Sequence, residues 1–231
     1  MFALLFVVVP MRDNKPLSVT SGIVILGSAL VLGYFLSPGL GPRLDAAPFR
    51  ELGRVLAHQA AAHMDPGGSL TVITRDTVAF QNPASDVLLD SFRKELAKSG
   101  IKISSIQALQ IDPLRPVSVP SGDFLGWIKK SAKGSVIVSF MGPPMLSETQ
   151  LAQIGEVKPA IIALCCGSVR DQVDLRTLFA QGLLQGAVVS RRPVLVKSSP
   201  PSSDREAFER QFAEVTPANL AALSSGSNSS R

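Results

Sequence analysis

Hydrophobic and polar positions along the chain fall into three regimes. The first is an uncharged apolar stretch from Leu17 to Leu36 (LSVTSGIVILGSALVLGYFL). At about 1.5 Å rise per residue, a helix over this stretch just spans a hydrocarbon core of roughly 30 Å. Its apolar residues surround the segment rather than forming one stripe, which counts against a buried core helix. The second regime, residues 37–48 (SPGLGPRLDAAP), is rich in Pro and Gly and predicts a semi-rigid spacer. The third begins at Phe49, where short apolar runs alternate with helical periodicity.

That alternation predicts the elements. Phe49, Leu52, Val55, Leu56 and Ala60 recur at helical spacing to about His63, and Asp65-Pro66-Gly67-Gly68 stops the helix. A strand over Leu70–Thr74 follows, then a helix over Pro83–Ser99 with Asn82 as N-cap and Gly100 as C-terminal cap. The pattern continues as a strand over Ile101–Leu109, a short helix over Gly122–Ala132 capped by Ser121, and a strand over Ser135–Phe140. Ser147-Glu148-Thr149-Gln150 has the form of a capping box and opens a helix over Glu148–Gly155. A strand over Ala160–Leu164, a helix over Val173–Leu184 and a strand over Ala187–Ser190 complete the alternation. A last helix is expected over Asp204–Val215, with Phe208, Phe212 and Val215 on one side.

Strands alternating with single helices imply right-handed crossovers and a parallel sheet. The expected fold is therefore α/β: a three-layer α/β/α, Rossmann-like domain with about five parallel strands, preceded by one transmembrane helix. The organisation reads as an N-terminal segment 1–16, a transmembrane anchor 17–36, a linker 37–48, an α/β domain 49–191, a C-terminal extension 192–223 with one helix, and a disordered tail 224–231 (SSGSNSSR). Met11 followed by Arg12-Asp13-Asn14-Lys15 makes an ordinary charged start, so translation from Met11 is an alternative to Met1.

A cleaved secretory signal is the rival to a retained anchor. No A-x-A-like site follows Leu36, and no Cys stands there to take a lipid, which favours retention. Arg12 and Lys15 precede the segment and Arg43 is the first charge after it, so the expected placement is a single-pass membrane protein with its domain outside the cytoplasm.

Composition changes the picture little. Net charge is +5 with a pI of about 9.5, and the cations are scattered apart from Lys129-Lys130 with Lys133 and Arg191-Arg192. With a single Trp and a single Tyr, base-stacking platforms are not indicated, so no nucleic-acid partner is expected. Arg75-Asp76-Thr77 after the first strand carries no glycine that would let backbone approach a pyrophosphate, and no Walker loop is present. His58 and His63 are five apart and do not share a helical face as ligands would. Neither a cofactor nor a metal site is expected, and no catalytic constellation is assigned.

Ligands of open parallel sheets bind beyond the carboxyl ends of the strands. The loops there hold the candidate binding residues Asp76, Asn82, Gly142, Cys166, Ser168 and Arg191. Cys165-Cys166 at a strand end is open to three readings: small buried hydrophobes, a vicinal disulfide, or a reactive thiol. Gly142-Pro143-Pro144 either stiffens its loop or walls a pocket.

TVITRDTVAFQNPASDVLLDSFRKELAKSGIKI, Thr71 to Ile103, resembles the opening of the type I periplasmic substrate-binding proteins, and SAKGSVIVSFMG, Ser131 to Gly142, resembles that family's third strand and its loop. The resemblance implies a ligand at the strand-end loops, with Asp76 and Asn82 nearest it. That family closes two such lobes on a ligand, whereas this chain has room for one, an open surface rather than a cleft. The leading expectation is a non-enzymatic, membrane-anchored extracytoplasmic domain that binds a protein partner or assembles in an envelope complex. Binding of a small solute by the strand-end loops comes second, and an enzyme using the Cys165-Cys166 loop third.

Overall fold

The computed structural model describes residues 28, 44–78, 81–110, 119–156, 158–191 and 200–220. Contacts divide the chain into Met1–Leu44 and Asp45–Arg231. In the first unit Ser28 is helical; the rest of Leu17–Leu36, and with it the expected anchor, lies outside the described residues. No helix among the described residues is long and apolar enough to cross a membrane.

The second unit is built on a six-stranded sheet. Its elements are α1 (Ala47–His63), β1 (Leu70–Arg75), α2 (Pro83–Lys98), β2 (Ser105–Leu109), α3 (Ser121–Lys130), β3 (Val136–Ser139), α4 (Glu148–Leu151), β4 (Ala160–Cys165), α5 (Ser168–Gln172), α6 (Leu175–Ala180), β5 (Gly186–Ser190), α7 (Asp204–Gln211) and β6 (Phe212–Val215). The order across the sheet is β2-β1-β3-β4-β5-β6. Five strands run parallel, and β6 pairs antiparallel to β5, with Ser190 opposite Phe212.

Strand alternation divides the core between the two faces. On one, α1, α2 and α7 cover Leu70, Val72, Val136, Val138, Ile162 and Val188. On the other, Phe124 and Ile128 of α3 and Phe179 of α6 cover Ile73, Ile137, Ile161 and Ala187. Each fully buried aromatic removes enough apolar surface from water to contribute about 2–3 kcal/mol. Helix α1 seats closely on α2: a Cβ built on Gly53 would lie 2.7 Å from Leu88 O and 2.8 Å from Phe92 N. Only glycine allows that approach.

Three local expectations are corrected. The last helix ends at Gln211 rather than Val215, because Phe212–Val215 forms a sixth, antiparallel strand beside β5. Ser121 is the first helical residue of α3 and not its cap; its hydroxyl instead accepts from Gln150 Nε2 at 3.1 Å. The helix expected over Val173–Leu184 is shorter, α6 over Leu175–Ala180, capped by Asp174, whose carboxylate accepts from Arg176 N and Thr177 N; a separate short helix, α5, precedes it over Ser168–Gln172. The capping box at Ser147 and the Asn82 cap form as the sequence predicts.

Candidate functional site at the carboxyl ends of the strands

The chain leaves β1 through α2 on one face, but it leaves β3 through α4 on the other. The connections therefore diverge at the carboxyl ends of β1 and β3, which is the switch point of the β2-β1-β3-β4-β5 order. Each candidate residue can be placed against that point.

Asp76 follows β1. Its N–H donates to Leu109 O at 2.8 Å, tying the end of β1 to β2, and its Oδ1 accepts from Val78 N at 2.9 Å. Thr77 Oγ1 donates to Asp86 Oδ1 at 3.1 Å. Asn82 Oδ1 accepts from Ser85 N at 3.2 Å, so this side chain is committed to starting α2. Arg75 is half-buried beside Asp76.

On the other side of the switch point, Phe140 N donates to Ile73 O at 2.9 Å, and Met141 N donates to the buried Ser139 hydroxyl at 3.3 Å. Gly142 has φ +103°, in the region glycine favours, and a Cβ there would meet Val169 Cγ1 at 2.7 Å. Gly142, Pro143 and Pro144 are all buried. The buried Gly-Pro-Pro run thus brings the loop after β3 against Val169 of α5. Sequence spacing gave no signal for Val169 as that partner.

Cys165 is buried and Cys166 half-buried, and both are free thiols. Burial pushes Cys165 up to about 12, with Cys166 adding a smaller repulsion. Burial likewise pushes Cys166 up to about 11, against hydrogen bonding to Ser190 that pulls it down. Both therefore remain protonated at neutral pH, and the thiolate that nucleophilic chemistry needs is scarcely populated. The burial of Cys165 fits the reading as a small buried hydrophobe, whereas Cys166 is only half-buried. Ser168 opens the short α5 behind Gly167. Arg191 N donates to Gln211 O at 2.7 Å and its Nε to Phe212 O at 2.9 Å, so Arg191 pins β6 to β5.

The structure thus brings Gly142 to the Val169 turn beside Ser168, and Cys166 to Ser190 beside Arg191. Asp76 stands at the switch point, whereas Asn82 and Arg191 are occupied by structural duties. His58 pairs with Glu95 at 3.0 Å.

Comparison with solved structures adds the following. The chain is similar to an ABC-transporter solute-binding protein from Burkholderia graminis in complex with D-arabinose, at 19% identity and TM-score 0.48, over 75% of this chain and 61% of that one. It is similar to a carbohydrate-transporter solute-binding protein from Agrobacterium radiobacter in complex with D-arabinose, at 12% identity and TM-score 0.48, over 78% and 62%. An arabinose-binding protein from Geobacillus stearothermophilus matches at 12% identity and TM-score 0.47, over 75% and 62%. The chain therefore spans less than two thirds of the length of each of these proteins. They share the type I binding-protein fold, that of the family which Thr71–Ile103 and Ser131–Gly142 resemble, and the match is partial and of low identity. No protein-family model matches the chain, and no curated protein does.

Proposed function

We propose that the Asp45–Arg231 unit is a solute-binding lobe, tethered to a membrane by Leu17–Leu36, that takes a small polar solute between the carboxyl ends of β1 and β3. The observation that carries this reading is the divergence of the connections at that point, where open α/β sheets bind their ligands. Asp76 supplies a carboxylate acceptor there and Arg75 a guanidinium donor, a pairing suited to a neutral solute bearing hydroxyl or amide groups. Gly142 and Ser168 border the site from the β3 and β4 loops. Arg12 and Lys15 ahead of the apolar segment support a domain held outside the cytoplasm.

The test is a thermal-unfolding screen of the full chain in detergent against neutral sugars, polyols and amides, repeated on Asp76→Ala. At least one solute is expected to raise Tm in the wild type and to lose that effect in the variant. Equal shifts in both proteins, or none in either, would sink the reading.

A second reading is that the tethered domain serves assembly and performs no chemistry. The observation favouring it is the edge strand β2, where Ile106 and Ala108 are exposed while Ser105 and Gln107 are half-buried, the reverse of the usual arrangement. Co-purification from membranes with stoichiometric amounts of a second chain, or of itself, is its expected outcome.

A further inference from the structure

We propose that β2 is the seam of a two-fold dimer in which the sheet continues into that of a second copy. The inference rests on the assembly reading and names its partner.

Backbone geometry leaves this edge open at Ile106. The register Thr71↔Ser105 and the bond from Asp76 N–H to Leu109 O turn the backbone groups of Ser105, Gln107 and Leu109 toward β1. Those of Ile106 and Ala108 face outward, and no described strand pairs with them. Ser105–Leu109 contains no Pro and no charge, two of the devices that usually keep edge strands apart. The side chains tell the same story. Ile106 is 37% exposed, and beside it a groove of about 360 Å³ runs between β2 and α2, lined by Arg93, Leu96, Ile101, Lys102, Ile103 and Ile106.

Self-complementarity selects a second copy. A two-fold axis at Ile106 makes this residue exchange both backbone hydrogen bonds with its own copy and buries the two exposed side chains against each other. The same axis sets Ser105 opposite the copy's Gln107, polar against polar. It also lays α2 antiparallel to the copy's α2. The exposed positions of α2 run from acidic Asp86 and Asp90 to basic Arg93, Lys94 and Lys98. Antiparallel alignment therefore opposes the acidic half of each helix to the basic half of the other.

The experiment is carried out on the full chain in detergent. Light scattering after size exclusion is expected to give a dimer, and Ile106→Glu, which places two carboxylates on the axis, is expected to give a monomer that still unfolds cooperatively, at a melting temperature that no longer depends on protein concentration. Ile106→Cys is expected to cross-link without added reagent, because directly opposed hydrogen-bonded residues have Cα atoms about 5.5 Å apart, within disulfide range. Val78→Cys, at an exposed position away from β2, is expected not to cross-link. A wild-type monomer overturns the proposal. So does a dimer that survives Ile106→Glu and leaves Ile106→Cys uncross-linked. Co-purification separates the two readings: a monomer that brings down a different stoichiometric chain sinks the dimer alone, and a monomer that brings down nothing sinks assembly with it.

Discussion

The two edges of this sheet are finished in different ways. At the β6 edge, Phe212, Ala213 and Val215 are buried, and Phe212 packs on Phe49 and Phe208 at 6.1 and 5.6 Å between ring centroids. Charges lock the same edge from outside. Arg50 makes a bidentate pair with Asp204 at 2.9 Å, Arg54 reaches Asp204 at 2.7 Å, and Arg205 reaches Glu214 at 3.0 Å. The β2 edge has neither feature: its Ile106 and Ala108 are exposed, and Arg93 and Lys102 on its groove stand without a described partner. One edge is closed by the chain itself and carries stability. The other is the one we propose to be completed by a second copy.

Truncating the closed edge should therefore cost far more than truncating the open one. Phe208→Ala is expected to lower the unfolding free energy by about 3–5 kcal/mol in urea melts, as for other fully buried aromatics. The clamp comes next, with Asp204→Ala expected to cost about 1–2 kcal/mol because two guanidinium groups lose their shared partner.

The clamp also sets a pH signature. Arg50, with Arg54 in support, holds the Asp204 carboxyl below its ordinary value of 3.8, and Ser202 with Arg210 holds Glu206 at about 2. Both carboxyls bind fewer protons folded than unfolded near pH 3. Their stabilisation is complete above the unfolded values and drains away as pH falls toward 2. Wild-type melting temperature is thus expected to drop over that window, and Asp204→Asn to flatten part of the drop; an equally steep profile in the variant would refute the assignment.

Smaller effects belong to the open side. Asn82→Ala removes the cap of α2 and should cost about 1 kcal/mol. Ile106→Ser, at an exposed position, should change monomer stability by no more than about 0.5 kcal/mol while abolishing the dimer. A large loss of monomer stability from Ile106→Ser would mean that the β2 edge is core after all.

Many of the helix ends were legible in the chain, and its final strand was not. Asn82-Pro83 with Gly100, and the Ser147 box, mark helix ends through local hydrogen bonding, and local chemistry is what a sequence displays. Phe208, Phe212 and Val215 recur at helical spacing, yet Phe212–Val215 is extended because β5 offers a ladder to pair with. Tertiary pairing overrides a local period, and no window of sequence contains the partner. Ile101 and Ile103 misled in a similar way. They lie against the core ahead of β2, and the strand begins only at Ser105. At the site, the loops were legible as positions after strands, but their duties were not. That Asn82 would be spent on a cap could be read locally. That Arg191 would hold Phe212, and Gly142 meet Val169, depended on folds of the chain across 21 and 27 positions respectively.

Helix α1 gives the unit a mechanical character. The chain enters the helix at Ala47, and α1 grips its neighbours near that end, through Arg50 and Arg54 on Asp204 and through Gly53 seated on α2. A pull applied at Ala47 meets these contacts first. β1 lies further along the chain than α1, so the contacts of the helix stand between Ala47 and the sheet. The helix is thus a shock absorber ahead of the sheet.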